Sequence, residues 1–151
     1  MTIRRAQLSD APAIAQLTAE LGYRADAGTI ADRLARLAGR ADHVVAVAVV
    51  DGQVGGWLQA HASDALESGF RAEIVGLVVG NAWRRRGLGR RLVDYAERWA
   101  AAQGADVVVV RSNTIRQKSH AFYPALGYRQ SKTQAVYRKS LGAPAEPPDR
   151  P

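Results

Sequence analysis

The chain has 151 residues, 47% of them apolar and 23% charged, which suits one globular domain and excludes a chain disordered throughout. It lacks cysteine, which excludes disulfides, thiolate metal clusters and a cysteine nucleophile. The net charge of +7 leaves two anionic partners open, a nucleic acid or a phosphorylated cofactor. No apolar run is long enough to span a membrane, and no apolar signal core follows Met1-Thr2-Ile3-Arg4-Arg5, so a cytoplasmic protein is expected.

In chain order, Thr2 to Ala6 suits a short strand. Asp10 then caps a helix carrying Ile14, Leu17 and Leu21 on one face and ending at Gly22. A second helix is predicted over Thr29 to Leu37, closed by Gly39. Val44 to Val50 and Val54 to Ala60 read as strands joined by an Asp51-Gly52 hairpin. Ser63 to Gly69 reads as a loop and Glu73 to Val79 as a strand. Leu88, Leu92, Ala96 and Trp99 follow a helical period up to Gly104, and Val107 to Val110 is a short buried strand. Ile115, Phe122 and Leu126 suggest a helix closed by Gly127, and Gln134 to Arg138 a last strand. Residues 142–151 hold four of the six prolines and read as a disordered tail after a domain spanning 1–141. Strand-helix-strand units late in the chain and a hairpin earlier require a mixed α/β sheet covered by helices.

The strongest local pattern is Arg84-Arg85-Arg86-Gly87-Leu88-Gly89-Arg90, between a strand and a helix. Glycines there let the backbone approach a ligand, and the helix start adds unpaired N–H groups and the positive end of its dipole. Neither a third glycine for a dinucleotide fingerprint nor a Gly-Lys-Ser/Thr Walker sequence follows. A tight basic turn facing solvent is the alternative. The basic clusters lack interleaved aromatics, so nucleic acid is not the expected partner.

Arg84, Gly87 and Gly89 match every fixed position of the cofactor motif of the GNAT acyltransferase superfamily (Gln or Arg, two residues, Gly, one residue, Gly or Ala). Leu77-Val78-Val79 resembles its cofactor strand, although Asn81 replaces a common proline. Ala121-Phe122-Tyr123 and Leu126-Gly127-Tyr128 are also typical, and the resemblance runs from Thr2 to about Leu141. It implies a single-domain, mainly antiparallel twisted sheet with a V-shaped splay between two central parallel strands. It further implies an acetyl-coenzyme A-dependent N-acetyltransferase without a metal, and homodimers through late strands or helical faces.

By that resemblance, amides from Arg85, Arg86, Gly87, Leu88, Gly89 and Arg90 hold the pyrophosphate, while Val78 and Val79 pair with the pantetheine arm. The Leu77 N–H polarises the thioester carbonyl, and Asn113 either touches the cofactor or caps a helix. Glu73, four residues before Leu77, resembles the family's base, with a solvated strand-end charge as the alternative. Strand periodicity puts positions 73, 75, 77 and 79 on one face unless a bulge intervenes. Tyr123 resembles the acid that protonates the sulfur, with a packed tyrosine as the alternative, and Pro124 should kink or end its helix. His43, His61 and His120 form no metal motif; His61 could line an acceptor site, with an ordinary surface or packed histidine as the alternative. Without a Gly-x-Ser-x-Gly elbow or a cysteine, direct transfer to the amine is expected.

Tyr23, Trp57, Glu20, Asp26, Asp64 and Glu67 are candidate acceptor contacts, and each could equally be a surface or packing residue. Arg24, Arg71 and the net charge oppose a highly cationic acceptor, unless acidic residues focus a local negative field. A small-molecule amine is the first expectation. A protein or peptide amine, or a noncatalytic coenzyme A-binding regulator, remains open.

Overall fold

The computed structural model describes residues 1–111 and 117–142. They fall into two compact units, Met1–Arg111 and Ser112–Pro151.

In the first unit the order is β1 (Thr2–Arg5), α1 (Ala11–Ala19), α2 (Ala27–Leu37), β2 (His43–Val50), β3 (Gln53–Ala65), β4 (Gly69–Val79), α3 (Leu88–Ala102) and β5 (Val108–Val110). The strands form one sheet in the order β1-β2-β3-β4-β5, with antiparallel pairing up to β4 and a parallel β4–β5 pair at one edge. The expected mixed, mainly antiparallel sheet flanked by helices is present.

Each helix lies where the sequence offers it a face. On one side of the sheet, Ile14 and Leu17 of α1 pack on Val47, Trp57 and Val78, with Ile30 and Leu34 of α2 against the same cluster. Trp57 is 8% exposed and donates its Nε1–H to Thr18 Oγ1 at 3.1 Å, while the Thr18 hydroxyl donates to the Ile14 carbonyl at 2.6 Å. Trp57 is therefore a core residue with its polar atom satisfied, not an acceptor contact. On the other side, α3 buries Leu88, Leu92, Val93, Ala96 and Trp99. Gly56 on β3 lies beneath it: a Cβ there would come within 3.3 Å of Leu92 Cδ1.

Several expectations change on contact with the tertiary structure. Asp10 does not cap α1 with its side chain; it ends a 3-10 turn (Leu8–Asp10) and accepts from the Gln7 N–H at 2.7 Å. It is 6% exposed and binds both terminal nitrogens of Arg4, at 2.8 and 3.0 Å. The α2 cap is Asp26, which accepts from the Thr29 N–H at 2.7 Å, so the helix begins two residues earlier than expected. Ser63 to Gly69 is not mainly loop: β3 runs to Ala65 and β4 starts at Gly69, since Ser63 and Asp64 find ladder partners in Arg71 and Phe70.

In the second unit, α4 (Gln117–Ala125) contains Pro124 and stops one residue after it. The Gly127 and Tyr128 N–H groups donate back to the carbonyls of Pro124 and Tyr123 at 3.0 and 3.1 Å, with Gly127 at φ 92°, a left-handed helix stop. The last strand expected over Gln134 to Arg138 is not formed among the described residues. Val136 and Tyr137 there are 85% and 92% exposed, so the segment buries no face that would hold it in a ladder. Of the expected tail, only Gly142 lies among the described residues.

Candidate active site

The site is organised along β4, and a bulge divides it. Gln59 lies opposite Gly76 while Ala60 lies opposite Ile74, so Val75 is the extra residue in β4. The bulge reverses the phase of the strand. Leu77 opposes Leu58, whereas Glu73 opposes His61, on the face of β3 that also carries Trp57. Glu73 and Leu77 thus project from opposite faces, and the unbroken alternation expected for positions 73 to 79 does not hold.

Beyond the bulge, β4 offers main-chain groups to a ligand. Its pairing with β5 ends at Ile74 and Val110, yet β4 continues to Val79. The Gly80 N–H donates to the Gly55 carbonyl at 2.9 Å, so Gly80 faces β3. Main-chain groups alternate sides along a strand, so Val78 also faces β3, while Leu77 and Val79 direct their N–H and C=O groups to the other edge, which is open among the described residues. Of the two residues that the resemblance pairs with a pantetheine arm, Val79 turns its main-chain groups away from β3 and Val78 turns its own toward β3. The Leu77 N–H points the same way as that of Val79.

The turn that follows is built around Trp83. A 3-10 turn (Asn81–Trp83) brings that ring over two glycines. A Cβ on Gly55 would come within 2.7 Å of Trp83 Cγ, and one on Gly80 within 2.6 Å of Leu17 Cδ2 and 3.0 Å of Trp83 Cε3. Glu20, a candidate acceptor contact by sequence, instead accepts from the Asn81 N–H at 2.9 Å and ties α1 to the turn. Sequence reasoning missed this arrangement. Its signal was Gly55-Gly56 in the middle of a strand, where glycine marks a close approach.

Arg84, Arg85 and Arg86 then run exposed into α3. Arg85 and Gly87 have positive φ, 65° and 79°. Among the described residues, no carbonyl or side chain accepts from the N–H groups of residues 85–90, and the first intrahelical bond is from Arg91 to Gly87 at 3.1 Å. A Cβ on Gly87 would meet nothing within 4 Å. Free amides at the start of a fifteen-residue helix, with an open approach and flanking guanidinium groups, suit a pyrophosphate. The residues present fit the phosphate end of coenzyme A, and the edge at Leu77 and Val79 fits its amide-bearing arm.

On the other side of the bulge the site is made of side chains. The Glu73 side chain is 12% exposed; its Oε2 accepts from Arg111 Nη1 at 3.1 Å and lies 3.8 Å from His61 Nε2. His61 stacks on His43 with ring centroids 5.4 Å apart. Burial pushes the His43 imidazole below its ordinary range; Asp42 opposes this, while Arg40 and His61 add to it. His43 Nδ1 is buried and has no partner among the described residues. His43 and His61, far apart in sequence, are neighbours here, although no group of three or more metal-ligating side chains converges among the described residues.

Tyr123 lies in the second unit on α4, half-buried, with edge-to-face contacts to Phe122 and Tyr128 at 5.0 and 6.0 Å between centroids. Asn113 lies outside the described residues. Asp64 and Glu67 are exposed at the β3–β4 hairpin, and Tyr23 and Arg24 sit between α1 and α2. No described helix is long and apolar enough to cross a membrane.

Comparison with known proteins gives this geometry a family. An aminoglycoside N(6')-acetyltransferase type 1 from Serratia marcescens is 29% identical over 76 residues, 50% of this chain; the match spans only 52% of that relative's length. A solved structure described as a transcriptional regulator from Bacillus halodurans superposes with a TM-score of 0.83 at 22% identity, covering 91% of this chain and 99% of the other. An aminoglycoside N-acetyltransferase solved in complex with coenzyme A gives 0.82 at 18% identity, covering 91% and 93%. At such identities the structures establish the fold. The sequence profile of the acetyltransferase (GNAT) family, whose members use acetyl-coenzyme A, matches residues 11–128, and the chain belongs to that family.

Proposed function

We propose that this protein transfers the acetyl group of acetyl-coenzyme A directly to a primary amine of a small molecule. The observation that carries the reading is the division of β4. An open main-chain edge leads into a turn of free amides on one side of the Val75 bulge, and a half-sheltered carboxylate stands on the other.

An ammonium has no lone pair, so its proton must leave before attack. Glu73 is the proposed base, holding the amine by one carboxylate oxygen while Arg111 retains the other. The Leu77 N–H, aimed out of the open edge, donates to the carbonyl oxygen as negative charge builds there; a fixed main-chain donor does this without reorganising. Amides 85–90 and the surrounding arginines anchor the pyrophosphate, which fixes how far the thioester reaches along β4. Acetyl-coenzyme A supplies the activated acyl group. Tyr123 is the proposed acid for the leaving sulfur, on its place after Phe122 in the family-typical segment. A cytoplasmic location and a homodimer accompany this reading by resemblance.

The test is a primary-amine library screened for release of free coenzyme A thiol. Turnover with a small amine, lost in Glu73→Gln and reduced at least tenfold in Tyr123→Phe, is the expected result. Labelled acetyl transfer to proteins but to no small amine would replace the small acceptor with a protein one. Retention of coenzyme A without turnover of any acceptor would mark a noncatalytic binder.

A further inference from the structure

The sheet end that carries Glu73 is lined by cations. Residues opposite one another across a strand pair, and residues two apart on one strand, point the same way. The register therefore puts His43, His61, Ser63, Arg71, Glu73 and Val109 on one face. Arg111 follows Val109 by two positions, and its guanidinium reaches round to Glu73 at 3.1 Å while its side chain stays 58% exposed. Arg71 precedes Glu73 by two positions, roughly 7 Å along the strand.

Glu73 is the only carboxylate the described strand residues place on this face, since Asp64 opposes Phe70 on the other. Asp42, just before β2, is engaged by Arg40 at 3.3 Å. Arg111 already balances Glu73, and among the described residues Arg71 has no ion pair. A polycationic acceptor would meet two guanidinium groups for one carboxylate, and such like-charge meetings select against a partner. An amine carrying its own anionic group supplies the missing charge, in the planar form a guanidinium binds with two parallel hydrogen bonds.

We infer that the acceptor is an anionic amine: a small molecule whose primary amine meets Glu73 while its carboxylate or phosphate is held by Arg71 and the exposed part of Arg111. The inference rests on the reading above in taking Glu73 as the point where the amine arrives. The acidic group takes no part in the chemistry. The N–C bond forms and the C–S bond breaks; of the two protons the ammonium gives up, one reaches the sulfur and the other leaves to solvent by way of Glu73.

The experiment compares matched acceptors: 6-aminohexanoate with hexylamine, O-phosphoethanolamine with ethanolamine, and kanamycin as a polycation. At least one member with an acidic group should exceed its partner without one in kcat/KM by about tenfold or more, the effect of one charge-assisted contact. Carboxylate and phosphate are told apart by which pair shows the larger ratio. Arg71→Gln should erase that ratio through KM with kcat nearly kept, and Arg71→Lys should restore part of it. Equal turnover within both pairs, or a preference for kanamycin, overturns the inference and leaves acetyl transfer standing. If no amine turns over, the catalytic reading fails. Calorimetry of 6-aminohexanoate and O-phosphoethanolamine on the coenzyme A-loaded protein then decides: heat abolished by Arg71→Gln supports an anion site, and no heat overturns it.

Discussion

The two ends of β4 are built from different material. Past Val75 the groups proposed to face a ligand are main-chain amides and carbonyls, set by a strand edge with no partner among the described residues, a turn packed under Trp83 and the start of α3. Before Val75 they are side chains, Glu73, His61, His43, Arg71 and Arg111, gathered from four strands and their ends. A main-chain site tolerates almost any side chain above it and suits a ligand that never changes. A side-chain site can be rewritten one residue at a time and suits a ligand that differs from protein to protein.

If that contrast is right, substitutions at the two ends should separate binding of the common ligand from turnover. The largest expected effect is Glu73→Gln: kcat should fall about 100-fold or more while coenzyme A affinity, measured by calorimetry, stays within about twofold. A parallel loss of affinity would break the comparison. Next is Gly55→Ala, whose new methyl must displace Trp83 or Leu88; we expect about 2 kcal/mol of destabilisation in urea unfolding, with weaker coenzyme A binding. Gly87→Ala should be milder. Its φ of 79° costs an alanine about 1 kcal/mol, and open space around the new methyl limits the damage to a several-fold loss in affinity with kcat little changed.

The smallest effect concerns His43. Its folded pKa is lowered by burial, so on acidification the unfolded chain takes up this proton first. The stability associated with the neutral ring is complete above the ordinary histidine pKa of about 6.5 and drains away as pH falls from there through the lowered value. The melting temperature should therefore fall more between pH 7 and pH 5 in the parent than in His43→Gln, with coenzyme A affinity at pH 7 unaffected.

The main-chain end was legible in the sequence because glycine and helix-start chemistry obey fixed local spacing: Arg84, Gly87 and Gly89 lie within six residues, and the helix period from Leu88 is regular. Most strands and helices were visible for the same reason. The side-chain end was only partly legible. Glu73 was singled out by its distance from Leu77, but its partner Arg111 stands 38 residues away and no pattern links them. Which face Glu73 occupies depends on the strand register and on one bulged residue, neither of which leaves a mark in composition. Glu20 and Trp57 stayed undecided between acceptor contact and packing because an acid and an indole look alike in sequence whether they meet solvent, a backbone N–H or a threonine hydroxyl.

The extra residue at Val75 also has a consequence for how such a protein can change. Deleting it would restore one-to-one pairing with β3 and leave Glu73 opposite His61 and Leu77 opposite Leu58, because the register on both sides already counts without it. The extra residue is thus slack in the strand, a position that can be lost or kept while both halves hold their partners on β3. Mutations accumulating upstream leave the downstream ladder undisturbed, so acceptor choice can drift across generations without retuning the grip on the shared donor.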